Sequence, residues 1–208
     1  MDSVKYDLKL FLHDASRVEL EECIPIFHRW IQDQTLEELL IDVADYRHVH
    51  HGPGVVLIAH DAHYAMDAAE GRLGLLYSRR RETHASRSGL QSVEDRLASV
   101  LQCALTACQR LEAEPALGGQ GRFRGDVLLL RCNDRLQAPN TAAAYNDLRQ
   151  HVAPLLATLY PGQQVEVEHI GAPATRLTVA IRAAENPDVA TLLTRLAARA
   201  PHHMVAPL

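Results

Sequence analysis

Hydrophobic and polar residues alternate near the start of the chain in the way that a β-strand requires. Within residues 5–12, one face would carry the apolar residues Tyr6, Leu8, Leu10 and Leu12. The other face would carry Asp7, Lys9 and Phe11. This period of two predicts a half-buried strand. A helix beginning at Pro25 is predicted next, because proline is tolerated in the first helical turn, where its missing N–H has no partner. Residues 39–45, 54–60 and 73–78 predict three further strands, the first two of which could pair as a hairpin.

A longer helix is predicted after residue 92. Ser92 can cap it by accepting a backbone N–H, and Asp95 three residues later is an acidic near-match to a capping box. Apolar residues then recur three and four apart, at Val93, Leu97, Val100, Leu101, Ala104, Leu105, Cys108 and Leu111. Residues 114–125 contain four glycines and one proline. They predict a loop or linker.

The second half of the chain follows a similar order of elements. A strand is predicted over residues 126–132, a helix over 141–160, strands over 164–169 and 177–182, and a last helix from residue 187. The order indicates an α+β fold with two tandem ferredoxin-like (split βαβ) halves, one at 1–117 and one at 118–208. One continuous mixed sheet with helices packed on one face would give the same order, so both arrangements stay open.

Composition and charge limit the classes of function. Hydrophobic residues make up 47% of the 208, and 21 basic against 26 acidic side chains give a net charge of −5. This balance argues against a nucleic-acid-binding protein. The four cysteines form no CxxC pair, and no signal segment or apolar run of about 20 residues is found. We therefore expect a cytoplasmic protein with reduced thiols and no membrane contact.

Histidines are concentrated in one segment. Five of the twelve lie between residues 48 and 63. His48 and His50 are two apart, so in an extended backbone both imidazoles would project from one face. That spacing suits a divalent transition metal as cofactor, with further candidate ligands at Asp45, His51 and His60. The predicted hairpin would put the loop histidines about 20 Å from His60 and His63, which indicates two candidate sites. Solvent-exposed histidines without a ligand are the alternative.

Acid–base chemistry is a second hypothesis for this segment. His63 could act as a general base oriented by Asp61, and Tyr64 could donate to a developing oxyanion. No GxSxG motif is present to indicate a covalent mechanism. Arg79 and Arg81 are on alternate positions, so they could clamp an anionic cofactor. A solvated strand end is the simpler interpretation of that pair.

Two functions follow as expectations. The first is a small-molecule or metal-ion binding protein, including a metal-dependent enzyme, with its His- and Asp-rich site in the N-terminal half. The second is a non-catalytic assembly or regulatory module that forms a homodimer through its sheets. In that second case the surface histidines would form a pH-sensitive patch.

Overall fold

The computed structural model describes residues 5–14, 18–81 and 92–199. Eight strands are present in these ranges: β1 (Tyr6–Leu12), β2 (Leu40–Asp45), β3 (Val55–Ala59), β4 (Ala62–Asp67), β5 (Gly74–Arg79), β6 (Phe123–Cys132), β7 (Val165–Ile170) and β8 (Thr178–Ala183). Four α-helices accompany them: α1 (Cys23–Asp33), α2 (Val93–Glu112), α3 (Ala142–Leu159) and α4 (Val189–Ala197). The α+β class is therefore confirmed.

All eight strands belong to one sheet in the order β2-β3-β4-β5-β1-β6-β8-β7. Each neighbouring pair is antiparallel, so the expectation of a mixed sheet is corrected. The strands on either side of residue 118 meet where β1 pairs with β6. Two tandem ferredoxin-like halves are not confirmed by this arrangement.

The four helices pack on one face of the sheet. Their buried residues join alternate residues of the strands, such as Tyr6, Leu8 and Leu10 of β1, in one hydrophobic core. Side-chain caps fix the starts of the three helices that follow residue 92. Ser92, Thr141 and Asp188 each accept a backbone N–H from the residue three positions later. The predicted cap at Ser92 is therefore confirmed.

Strand β4 was missed by the sequence prediction, and the reason is its composition. Residues 62–67 lie in the interior of the sheet, between β3 and β5, so they show no clean alternation of buried and exposed positions. They also include Ala62, Ala65 and Asp67, residue types that are depleted in strands. The predicted pairing of β2 with β3 is confirmed, with Asp45 opposite Val55.

The other face of the sheet carries no helix and is nevertheless buried near its centre. Asp7 and Lys9 of β1 are 2% and 1% exposed. The prediction of a half-buried β1 is therefore corrected. Phe11 packs on this face with Leu129 and Ala180 in a small separate apolar cluster. We call this surface the helix-free face.

Among the described residues, no helix has the length and apolar character needed to cross a membrane.

Candidate functional site

Strand register places a row of polar residues across the helix-free face. His63 of β4 lies opposite Ser78 of β5, and Ser78 lies opposite Asp7 of β1. The row continues with Arg131 of β6 opposite Asp7 and Thr178 of β8 opposite Arg131. Side chains directly opposite on one face of an antiparallel sheet are separated by about 4.5–5.5 Å between Cβ atoms. Residues from five strands are therefore neighbours here although they are distant in the sequence.

Further cations are added at the end of the sheet next to this row. Strand β5 ends there and is followed by Arg80 and Arg81, and Lys5 directly precedes β1. Arg176 lies two residues before β8. Neighbouring strands run in opposite directions, so the starts of β1 and β8 lie beside the ends of β5 and β6.

These residues line an open cavity of about 720 Å³. Its lining is mainly polar or charged and consists of Lys5, Asp7, His51, Pro53, His60, His63, Asp67, Ala69, Leu76, Ser78, Arg80, Arg81, Arg131, Asn133 and Arg176. Five of these side chains are Lys or Arg and two are Asp, in a chain whose net charge is −5. The cavity is therefore locally cationic, and we call it the cationic cavity.

Asp7 is the buried acid of the polar row. Its carboxylate accepts a hydrogen bond from Asn133 Nδ2 at 3.2 Å and lies 3.3 Å from Arg176 Nη1. Arg131 Nη1 is 3.9 Å away, and the Ser78 hydroxyl also donates to this carboxylate. Burial outweighs these contacts and raises the pKa of Asp7 above its usual value.

The second acid, Asp67, is compensated by Lys9. Lys9 Nζ donates to Asp67 Oδ2 at 2.8 Å and to the carbonyl oxygen of Ala69 at 2.7 Å. Both side chains are almost fully buried. A buried pair of this kind fixes the floor of the cavity without adding net charge.

Arg80 and Arg81 differ from these residues because neither guanidinium forms an ion pair with another described residue. Their backbone N–H groups donate to the carbonyl oxygen of Asp61, at 2.9 and 3.1 Å. The turn between β3 and β4 thus holds the chain after β5 in place.

Burial, followed by the charge of Arg80, lowers the pKa of His63. His63 is therefore a neutral hydrogen-bonding group at pH 7.

The predicted metal ligands at residues 45–51 do not converge. The loop between β2 and β3 is a series of turns in which the N–H groups of Val49 and Gly52 donate to Tyr46 and Val49, so the spacing rule for an extended backbone does not apply. Asp45 is engaged by Arg47, whose hydrogen bonds lower the pKa of that carboxyl to about 2. His48 and His50 are exposed, and the ring of His50 contacts that of His51.

His60 and His51 approach the cavity from different sides. His60 Nδ1 lies 2.8 Å from Asp61 Oδ1, in the turn between β3 and β4. His51 lies in the loop at the other end of β3, yet both histidines line the cationic cavity together with His63. One histidine of the predicted loop group and two of the predicted second group thus border one open cavity. The described residues contain no group of three or more His, Cys, Asp or Glu placed to hold a metal ion.

The predicted catalytic residues occupy different places. His63 faces the cavity, while the carboxylate of Asp61 pairs with His60. Tyr64 follows His63 in β4 and therefore points to the opposite face, where its hydroxyl donates to the buried Glu38. His63 is the one member of this set that lines the cavity.

The predicted anion clamp of Arg79 and Arg81 does not form. Arg79 is the last residue of β5 and points under α2, where Nη2 donates to Ser99 Oγ at 3.1 Å and to the Tyr77 hydroxyl at 3.0 Å. Arg81 lies beyond the strand and lines the cationic cavity beside Arg80. Alternate residues share a face only within a strand. Because β5 ends at Arg79, the consecutive residues Arg80 and Arg81 face the cavity, and Arg79 does not.

Most of the cavity residues carried no recognisable motif in the sequence. Asp7, Ser78, Arg131 and Arg176 come from four strands or strand ends spread over some 170 positions. One local signal did exist: Asp7 and Lys9 interrupt an otherwise apolar strand that lies at the centre of the sheet. Charged residues inside a buried strand are costly unless they are paired, and they often mark a site.

Comparison with known proteins adds no relative. The chain matches no protein-family model, no curated protein and no solved structure.

Proposed function

We propose that this protein binds a small anionic ligand, of the phosphate or carboxylate type, in the cationic cavity. The observation that carries the proposal is the excess of cations in the lining of a cavity large enough for a metabolite. Lys9 compensates Asp67, while Arg131 and Arg176 lie against Asp7. Arg80 and Arg81 then remain as the two guanidinium groups best placed for an anion.

Arginine suits this role because its planar guanidinium can donate two parallel hydrogen bonds to a phosphate or carboxylate. Neutral His63 and the second N–H of the Asn133 amide add donors that can fix the orientation of a polar ligand, while the Ser78 hydroxyl already donates to Asp7. Three of the fifteen lining residues, Pro53, Ala69 and Leu76, are apolar. The lining therefore favours a polar anion over a fatty or aromatic molecule.

The hypothesis of a metal-binding or metal-dependent protein has less support than the anion-binding proposal. Asp45 is paired with Arg47, and the described part of the chain contains no group of three or more His, Cys, Asp or Glu placed to hold a metal ion. The cations around the cavity would also repel a divalent metal ion unless the ligand supplied the compensating charge. An anionic ligand needs no such help.

The proposal is tested by calorimetric titration of the full chain with inorganic phosphate at low, constant ionic strength. The variant Arg80→Gln/Arg81→Gln removes two positive charges from the cavity. The matched control Arg110→Gln/Arg149→Gln removes two positive charges from exposed positions on α2 and α3, in the helical layer. We expect at least a tenfold loss of affinity in the first variant, equal to about 1.4 kcal/mol, and less than twofold in the control.

Equal losses in the two double variants would show that binding reflects overall charge and not this cavity. A wild-type protein that binds neither phosphate nor citrate at millimolar concentration would overturn the proposal.

A second candidate function is assembly through the edge of the sheet. Strand β2 is an edge strand, and the side chains of Leu39 and Ile41 are 60% and 52% exposed. Exposed apolar residues on an unpaired edge favour association with another strand. Light scattering after size-exclusion chromatography tests this hypothesis: the wild type should be a dimer and Ile41→Lys a monomer. A wild-type monomer at high concentration would exclude it.

The tandem ferredoxin-like organisation stays a proposal for the fold. It is supported by the central pairing of β1 with β6, since each strand is followed by a helix and then by a strand at one edge of the sheet. Asp7 and Arg131, which lie opposite each other in that pair, would then place the cationic cavity at the junction of the two units.

A further inference from the structure

A second cavity of about 360 Å³ adjoins the cationic cavity. Its lining consists of Arg131, Arg135, Ala174, Thr175, Arg176 and Thr178. Arg131 and Arg176 line both cavities, so these two side chains form the wall between them.

The adjoining cavity contains three arginines and no acidic residue in its lining. Asp7, which approaches both shared arginines, belongs to the lining of the first cavity. Arg135 is exposed and belongs to the second cavity alone. The positive charge of the site therefore extends beyond the first cavity.

Hydrogen bonds hold the two loops that build this cavity. The Asp134 carboxylate accepts the backbone N–H groups of Leu136 and Gln137, which fixes the turn that carries Arg135. Asn140 Nδ2 donates to the carbonyl oxygen of Ala172 at 2.9 Å and thereby holds the loop before Arg176. Both arginines are thus presented from ordered loops, which lowers the entropic cost of binding.

We propose that the ligand carries two anionic groups, one in each cavity, with Arg131 and Arg176 between them. This inference rests on the proposed function and narrows its ligand to a bis-anionic class, such as a diphosphate, a bisphosphate or a phosphorylated carboxylate. A second group that is tied to the first binds at a high effective concentration, so affinity rises without additional loss of translational freedom. Arg135 then distinguishes ligands with two anionic groups from ligands with one.

The experiment compares inorganic phosphate, pyrophosphate and tripolyphosphate by calorimetric titration without magnesium, at pH 7.5 and constant ionic strength. We expect one pyrophosphate or tripolyphosphate per chain, bound at least tenfold more tightly than phosphate. Arg135→Gln should remove most of this advantage and change the affinity for phosphate less than twofold. Arg110→Gln on α2 carries the same change in charge and should preserve the advantage.

Two results would overturn the inference: equal effects of the Arg135 and Arg110 substitutions, or polyphosphates that bind no more tightly than phosphate. If none of the three anions is sensitive to Arg80→Gln/Arg81→Gln, the proposed function itself fails. A third outcome separates the two proposals. If the double variant weakens phosphate binding but Arg135→Gln does not change pyrophosphate affinity, the proposed function stands and only the bis-anionic inference is refuted.

Discussion

The two faces of strands β4 and β5 carry polar groups in different arrangements. On the helix-covered face, the hydroxyls of Tyr64 and Tyr77 both donate to the buried carboxylate of Glu38. Arg79 donates to Tyr77, to Ser99 and weakly to Cys103 Sγ at 3.6 Å. One group of Arg79, Nη1, is buried without a hydrogen-bond partner in the part of the chain that the structure describes.

On the helix-free face, the same two strands present His63 and Ser78 to an open cavity, next to Arg80 and Arg81. Arg79 is 2% exposed, whereas the two arginines that follow it are exposed. Where helices exclude water, charged groups must satisfy one another. On the helix-free face Lys9 and Asp67 also pair, but at the open end of that face Arg80, Arg81 and His63 stay available to a ligand. Structural charged groups and candidate binding groups are thus separated by burial and not by sequence.

The largest expected effect comes from Glu38→Gln on the helix-covered face. The substitution removes the negative charge that interacts with the buried Arg79 guanidinium, and breaking such a buried network costs about 3 kcal/mol. Urea denaturation at pH 7 should show this loss in the free energy of unfolding, while phosphate affinity stays within twofold. Glu37→Gln at the exposed neighbouring position is the control and should change stability by less than about 0.5 kcal/mol. A loss of phosphate binding in folded Glu38→Gln protein would contradict the separation of the two faces.

Asp7→Asn on the helix-free face should increase the affinity for phosphate. It removes a negative charge from the cationic cavity, so we expect phosphate to bind about tenfold more tightly, roughly 1.4 kcal/mol. Calorimetric titration measures this gain, and Asp126→Asn outside the cavity is the control. Weaker binding in the Asp7 variant would mean that its carboxylate contacts the ligand directly.

The stability of Asp7→Asn relative to the wild type should depend on pH. Because the pKa of Asp7 is raised on folding, its ionised form opposes folding: the associated stability is present at low pH and lost as the pH rises through the folded pKa. The gain in melting temperature of Asp7→Asn should therefore be largest at pH 7 and shrink towards pH 4. A gain that does not change with pH would point to altered packing instead.

Tyr64→Phe should lower stability by about 1 kcal/mol, since one hydrogen bond to Glu38 is lost. Its hydroxyl lies on the face opposite to His63, so anion binding should not change. Denaturation and titration of the same preparation give both quantities. A reduced anion affinity with an unchanged free energy of unfolding would show that Tyr64 takes part in anion binding.

The smallest effect concerns His63. Burial and Arg80 keep its pKa below the usual value, and a bound anion would favour the protonated ring. Affinity for sulfate, whose charge is constant in this range, should therefore rise about threefold between pH 7.5 and 5.5, and His63→Gln should reduce that rise. An identical pH profile in the variant would exclude His63 from the anion contact.

Much of the local structure could be predicted from the sequence. The spacing of apolar residues after Ser92 predicted α2, and the pairing of β2 with β3 followed from two apolar runs around a turn. Strand β4 was missed because it is buried in the middle of the sheet and its composition is unusual for a strand. The prediction of a half-buried β1 was wrong because periodicity shows which residues share a face, and not what covers it.

The sequence by itself determined the helices, most of the strands and the α+β class, because these depend on spacing and capping within a few residues. It also marked residues 48–63, and Arg79 and Arg81 at the end of β5, as candidates for chemistry. Only the tertiary structure decided which of these groups meet. Strand order and register bring Asp7, Ser78, Arg131 and Arg176 to one end of one face, while a single step along β4 sends His63 and Tyr64 to opposite faces. Contacts of this kind join residues far apart in the chain, so no local pattern in the sequence contains them.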